Sequence, residues 1–82
     1  MEPISETELL RLIEKSLGLD PNNVDLFTSM DSFEEWDSLG HLNILIALDL
    51  RLNELASNIM DLATADSVEK IVRLLRNSYL LK

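Results

Sequence analysis

Hydrophobic residues recur at helical spacing near the amino end of the chain, and capping residues mark the limits of this stretch. Ser5 followed by Glu8 is a capping box, in which each side chain satisfies a free backbone N–H of the other. Gly18 suits the left-handed conformation that ends a helix. Between them, one face is apolar: Leu9, Leu10, Ile13 and Leu17. The pattern predicts a first helix over residues 6–17.

Residues 18–36 lack a helical period and predict a long connection. Its first part, residues 20–23, has the Asp-Pro-Asn-Asn composition of a turn. A connection this long in a small domain needs side chains that anchor it. We expect Phe27, Phe33 and Trp36 to supply those anchors by inserting into the core. The alternative for Trp36 is that it contacts a partner. A short helical turn is predicted near residues 30–35.

A second helix is predicted to begin at Asp37 or Ser38, since both residue types are good N-caps. Asn53 and Glu54 are expected to end it. Its apolar residues cover more than one face: Leu39, Leu42, Leu45, Ile46, Leu48, Leu50 and Leu52. A helix that is apolar over most of its girth is usually the central helix of a bundle, which is the place we predict for it.

The last part of the chain predicts one further clear helix. Residues 53–66 favour only one or two short turns. The final helix is capped by Asp66 or Ser67, and its apolar stripe is Val68, Ile71, Val72, Leu75 and Tyr79. The fold class is therefore all-α, a small three- to four-helix bundle with a long loop between helix 1 and helix 2, formed as a single domain over residues 1–82.

Charge and composition narrow the function classes. The net charge is −8, which argues against nucleic acid and anionic membranes as partners. Residues 1–37 hold ten acids and two bases, whereas residues 38–82 hold five of each; the acidic half either steers basic partners or serves solubility. Without cysteine there is no disulfide or thiol nucleophile. With no visible secretory signal or membrane-length apolar run, we expect a cytoplasmic monomer without a membrane span.

Ser38 is the candidate for chemistry. It lies between an acid and a leucine, where a long loop meets a buried helix. The N–H groups and dipole of a helix N-terminus suit a phosphate at such a position. Leu39 would either brace the helix end or present an apolar contact to a partner. On the local sequence alone, a plain helix cap is the favoured explanation of Ser38.

In its wider setting the chain resembles the acyl carrier protein family. Asp37-Ser38-Leu39 matches the family's attachment motif. The segments in family order are the first helix with Leu-Gly-Leu-Asp-Pro at 17–21, the long loop, Glu-Glu-Trp-Asp-Ser-Leu-Gly-His-Leu at 34–42, Ala47-Leu48, and a last helix opening Ser67-Val68. The resemblance covers about residues 5–76, and the stretch at 34–42 is similar to stand-alone carriers of specialised pathways.

The resemblance implies a carrier and not an enzyme. Ser38 would bear a covalent 4′-phosphopantetheine arm taken from coenzyme A by a phosphopantetheinyl transferase, and Asp37 would either help orient Mg²⁺ during that transfer or only cap the helix. Acyl- or aminoacyl-loading and acyl-transfer enzymes would be the other partners. They would contact Leu39, Gly40, His41, Asn43 and Ile46 together with the acidic loop, and we expect His41 to be exposed beside the arm. A hydrolytic Ser38–His41 pair is set aside because it lacks an orienting third group and an oxyanion site.

Two departures from the family suggest a specialised pathway rather than housekeeping fatty-acid synthesis. Glu35 stands where carriers of fatty-acid synthesis usually have glycine, and residues 39–53 carry only Asp49 and Arg51 as charges, where those carriers have a strongly acidic helix. An aminoacyl or peptidyl carrier is the alternative within the class. An unmodified helical adaptor that binds proteins is the alternative from another class.

Overall fold

Three α-helices form the frame of the protein in a computed structural model that describes residues 2–82. They are α1 (Glu6–Leu17), α2 (Ser38–Arg51) and α3 (Val68–Asn77). Three short 3₁₀ helices lie between them: Met30–Ser32, Leu55–Asn58 and Met60–Thr64. Residues 2–82 form no β-strand, only two isolated bridges. The predicted all-α class is confirmed. One or two short turns were predicted for residues 53–66, and this segment forms two, the second and third 3₁₀ helices.

The first helix has the predicted bounds because its signals are local. The Ser5 hydroxyl accepts the Glu8 N–H at 3.1 Å, and Gly18 adopts a left-handed φ of 72° at the other end. The Glu8 carboxylate, however, is bound in a bidentate way by the Arg51 guanidinium, at 2.6 and 3.1 Å. This partner lowers the pKa of Glu8 and ties the start of α1 to the end of α2.

The long connection is anchored by fewer aromatic residues than predicted. Trp36 is buried and Phe33 packs partly against the core, as predicted, but Phe27 is 91% exposed. The reason is a tight turn in which the Asp25 carboxylate accepts the Phe27 N–H at 2.8 Å. That turn buries Val24 and Thr28 at its two ends and leaves Phe27 at its tip.

Backbone hydrogen bonds join the same connection to the start of α3. The Met30 N–H donates to the Asp66 carbonyl and the Val68 N–H donates to the Thr28 carbonyl, both at 2.9 Å. Ser67 is the N-cap of α3, accepting the Lys70 N–H at 3.1 Å, so of the two predicted caps it is Ser67 that caps. The connection is therefore held in place just before it enters α2.

The second helix is less enclosed than its composition predicts. Ile44 and Leu48 are fully buried, whereas one face is exposed: Leu39, Leu42, Ile46 and Leu50. Contacts with α1 on one side and with the second and third 3₁₀ helices on the other leave this face uncovered. A chain of 82 residues has too few elements to surround a helix completely. The second helix thus contacts elements on two sides, as predicted for a central helix, while this apolar face remains exposed.

The end of α3 also departs from the predicted stripe. The helix ends at Asn77, and Tyr79 is exposed with a left-handed φ of 61°. Leu80 and Leu81 are buried in its place, and Lys82 N–H bonds the Ile4 carbonyl at 2.9 Å. None of the helices in residues 2–82 combines the length and apolar character needed to cross a membrane.

Candidate modification site at the start of α2

Ser38 is the first residue of α2 and is exposed. The cap is supplied by Asp37, whose carboxylate accepts the Gly40 N–H at 2.8 Å while its carbonyl accepts the His41 N–H at 2.8 Å. Because Asp37 provides the capping oxygen, the helix does not need the Ser38 hydroxyl as its cap. Ser38 is thus held at the surface on a rigid element with its hydroxyl available for chemistry.

The electrostatic setting of Ser38 has two opposing parts. The backbone N–H groups at the N-terminus of a 14-residue helix favour an anion in the first turn. Exposed carboxylates precede it in the chain at Glu34, Glu35 and Asp37, and they disfavour one. The helix N-terminus would stabilise a singly charged group, such as a phosphodiester, on Ser38. The nearby carboxylates would repel the same group towards solvent.

A groove of about 390 Å³ begins at Ser38 and continues along α2. Three elements form its walls, which are mostly apolar. The lining side chains are Met30 from the long connection, Ser38, His41, Leu42 and Leu45 from α2, and Ala63, Thr64 and Ala65 from the third 3₁₀ helix and the residue after it. A flexible, largely apolar chain attached at Ser38 would find an apolar surface directly beside its attachment point.

His41 is buried, at 6% exposure, so the prediction that it is exposed beside the site is wrong. Its Nδ1 accepts the indole N–H of Trp36 at 3.0 Å, and its Nε2 lies 2.8 Å from the Leu62 carbonyl. The two rings are nearly parallel, with centroids 6.1 Å apart. With both ring nitrogens engaged in these bonds, neither faces Ser38 as a base.

The predicted partner-contact residues divide into two groups. Gly40 and His41 are buried and do not face a partner, which corrects their assignment as contact residues. Leu39, at 66% exposure, does not brace the core and is left as an apolar surface contact. Asn43 and Ile46 are exposed and line a second, larger groove of about 720 Å³ between α1 and α2, which does not include Ser38.

Gly40 is buried for a steric reason. A Cβ added there would collide with the backbone carbonyl oxygen of Glu35 and would lie 2.8 Å from the Leu17 Cδ2 atom. The absence of a side chain lets the end of the long connection cross close over the first turn of α2. Gly40 is therefore a packing residue that fixes where Ser38 emerges.

No group of three or more histidine, aspartate or glutamate side chains within residues 2–82 is arranged to hold a metal ion. The Asp37 carboxylate is the acid nearest Ser38 in the chain, and its observed role is the cap.

The groove and the Trp36–His41 pair were missed by reasoning from the sequence. For His41 a signal existed, since it lies three and seven residues before the buried Ile44 and Leu48 and so shares their helical face. For the groove the signal was weak. Its far wall comes from a segment about 25 residues away in sequence whose short 3₁₀ helices leave little periodic pattern.

No protein-family model, no curated protein and no solved structure matches this chain. Arguments about function therefore depend on its own residues and geometry.

Proposed function

We propose that the protein is a carrier that holds an acyl group as a thioester on a 4′-phosphopantetheine arm attached to Ser38, and presents that group to partner enzymes. One observation carries the proposal. An exposed serine, not needed as a cap, occupies the first turn of α2 at the mouth of an apolar groove. The resemblance of residues 5–76 to acyl carrier proteins supports the same reading.

Attachment needs a reactive hydroxyl that a second protein can reach. In the transfer, the Ser38 oxygen forms an ester bond to the phosphorus that joins phosphopantetheine to the nucleotide part of coenzyme A. The bond from that phosphorus to the nucleotide phosphate breaks, adenosine bisphosphate leaves, and the serine proton passes to a base of the transferase. This chain contributes the oxygen and its placement, since Asp37 and Gly40 fix the first turn of α2.

The exposed apolar face of α2 supports a carrier that docks on partners through nonpolar contacts. Leu39, Leu42, Ile46 and Leu50 lie along one side of the helix that starts at Ser38. Contiguous apolar surface of this kind marks interaction sites in small proteins. It also supports a specialised pathway, because this helix offers few carboxylates to a basic partner surface.

Incubation with coenzyme A, Mg²⁺ and a broad-specificity phosphopantetheinyl transferase should add the mass of one phosphopantetheinyl group, measured by intact-protein mass spectrometry. The Ser38→Ala variant should gain nothing. The matched control is Ser78→Ala, which alters an exposed serine at the far end of α3 and should be modified like the wild type. Absence of any gain by the wild type with several transferases would contradict the carrier proposal.

Substitutions of Asp37 distinguish its role as the N-cap of α2 from any role of its negative charge in the modification reaction. Asp37→Asn should leave stability nearly unchanged because asparagine caps as well as aspartate, whereas Asp37→Ala should cost about 1 kcal/mol. If the carboxylate also helps to orient Mg²⁺ in the transferase complex, Asp37→Asn should slow modification severalfold at full stability. Thermal unfolding measures the effect on stability, and the rate of mass gain on the same samples measures the effect on modification. Equal rates of modification for Asp37→Asn and the wild type would show that Asp37 only caps the helix.

An unmodified adaptor is the second candidate, and the same apolar face of α2 favours it. It would dock through this face without any arm. The mass experiment separates the two functions, because an adaptor remains unmodified with every transferase. An aminoacyl or peptidyl carrier differs from an acyl carrier only in the group loaded, which mass analysis of the modified protein from its native host would identify.

A further inference from the structure

The imidazole of His41 is the hydrogen-bonded centre of the region around Ser38. Trp36 Nε1 carries a hydrogen and can only donate, so His41 Nδ1, 3.0 Å away, must be the acceptor. The Leu62 carbonyl can only accept, so the hydrogen of the ring is on Nε2, 2.8 Å from that oxygen. These two partners together assign the neutral ring with its hydrogen on Nε2.

This one ring connects three elements that surround the groove at Ser38. Trp36 belongs to the end of the long connection, His41 to α2, and Leu62 to the third 3₁₀ helix. Both His41 and Ala63, the residue after Leu62, line the groove. The Leu62 carbonyl also accepts the Ala65 N–H at 3.2 Å, so the bond from His41 ends within the backbone of the groove wall.

We infer that His41 is a positioning residue, a proton-sensitive latch that holds the groove wall formed by residues 62–65 against α2. A second proton on the ring would lie on Nδ1 and point at the indole N–H of Trp36, where two donors meet without an acceptor. Trp36 and His41 are both buried, so water cannot readily replace the lost bond. A rigid ring that turns away from Trp36 also withdraws Nε2 from Leu62, and the wall loses its tie to α2.

Ionisable side chains adjoin the residues that contact the His41 ring. In the chain, acids lie next to the residues that contact the ring: Glu35 and Asp37 flank Trp36, Asp61 precedes Leu62, and Asp66 follows the groove wall. The ammonium group of Lys70, 2.7 Å from Asp66, lowers the pKa of that carboxyl and partly neutralises it. The two hydrogen bonds of the His41 ring require its neutral form, in which Nδ1 accepts and Nε2 donates. Acid should therefore open a latch that is closed at higher pH.

The latch is a property of the unmodified protein. Only one use of it, control of the access of a Ser38 arm to the groove, rests on the proposed function. Failure of arm attachment would leave the latch standing, and failure of the latch would leave the mass experiment unaffected. The two ideas are therefore tested separately.

Nuclear magnetic resonance of the unmodified, ¹⁵N-labelled protein tests the latch directly. At neutral pH the His41 nitrogens should show the Nε2–H form, with the Trp36 indole N–H shifted by its bond. As the ring takes up a proton at lower pH, that indole resonance and the amides of residues 62–65 should change together. The Ala65 amide should then exchange with solvent roughly tenfold faster, as expected for one lost buried hydrogen bond. A ring that binds a proton while the indole and residues 62–65 remain unchanged would overturn the inference.

A pair of variants provides the control that does not depend on titration. The side chain of His41→Gln can accept from Trp36 and donate to Leu62 but cannot bind a proton, so its groove amides should stay protected across the pH range. His41→Phe removes both bonds and should give fast exchange of the Ala65 amide at every pH. Equal exchange in both variants, at neutral and acid pH, would show that the ring only fills space and would refute the latch.

Discussion

Gly40→Ala should lower the stability of the protein by about 2 to 3 kcal/mol, although alanine is the better helix former. In an exposed helix the change would add about 1 kcal/mol of stability. Here the new methyl group collides with the Glu35 carbonyl oxygen and presses on Leu17. Overpacking costs about 1 to 3 kcal/mol and occasionally more, and a collision with backbone places this case at the upper end, about 3 to 4 kcal/mol. Subtracting the gain of about 1 kcal/mol in helix propensity leaves the predicted net loss of about 2 to 3 kcal/mol. For a domain of this size the midpoint of thermal unfolding should fall by about 10 to 20 °C.

The cause of that loss can be tested with a second substitution. Leu17→Ala in the Gly40→Ala background relieves the side-chain contact but leaves the collision with the Glu35 carbonyl. The double variant should therefore remain at least as unstable as Gly40→Ala. Leu17 is itself buried, so the Leu17→Ala single variant is the reference for its own loss. A double variant as stable as Leu17→Ala alone would mean that the side-chain contact, and not the backbone, sets the need for glycine.

Gly18→Ala is the matched glycine control. Its added Cβ meets no atom within 4 Å, so the cost comes only from the left-handed backbone, with φ of 72°. We expect about 1 kcal/mol, the usual scale for a non-glycine residue in this conformation. Gly40→Ala should thus be the more damaging of the two and should also slow modification at Ser38, because the collision pushes the Asp37 cap away from the first turn. Equal effects at both glycines would contradict the steric argument.

The parts of the fold that could be predicted were those whose signals are local. At α1 the cap, the apolar stripe and Gly18 all lie within one short segment, and each indicates the same bounds. Asp37 and Ser38 were predicted as the start of α2 for the same reason, and this placed the candidate serine correctly at a helix end. The turn at residues 25–28 was not predicted because the bond from the Asp25 carboxylate, which leaves Phe27 at the tip, competes with burial of the aromatic ring.

The candidate site was predicted only in part, because its walls come from distant segments. Sequence spacing located Ser38 but gave no account of Met30 and Ala65 opposite it, which are brought together by the bond from the Met30 N–H to the Asp66 carbonyl. The burial of His41 likewise depends on Trp36 and Leu62, the second of which lies 21 residues away. A histidine among leucines has no fixed preference for core or surface, so its partners decide.

Leucine occurs on every face of α2, so the sequence of this helix does not indicate which face is buried. Leu48 is completely buried, whereas Leu50, two residues later on the same helix, is 79% exposed. Both are leucines inside one helix, so the small gain in helix propensity on substitution by alanine is the same at the two positions. Any difference between the two alanine variants therefore measures packing alone.

Leu48→Ala should cost about 3 kcal/mol, because it removes buried methyl groups and leaves a cavity among the neighbouring core side chains. Leu50→Ala should stay within about 0.5 kcal/mol of the wild type, as exposed positions do. Chemical denaturation with the buried Trp36 as fluorescent probe gives both values. If Leu48→Ala does not fold, Ile44→Val is the milder core variant, with an expected loss of about 1 kcal/mol.

Similar losses for Leu48→Ala and Leu50→Ala would mean that the face of Leu50 is covered in solution, by a second copy or by a changed packing of α1. The apolar face would then no longer be open to the partners that the carrier and adaptor proposals both require.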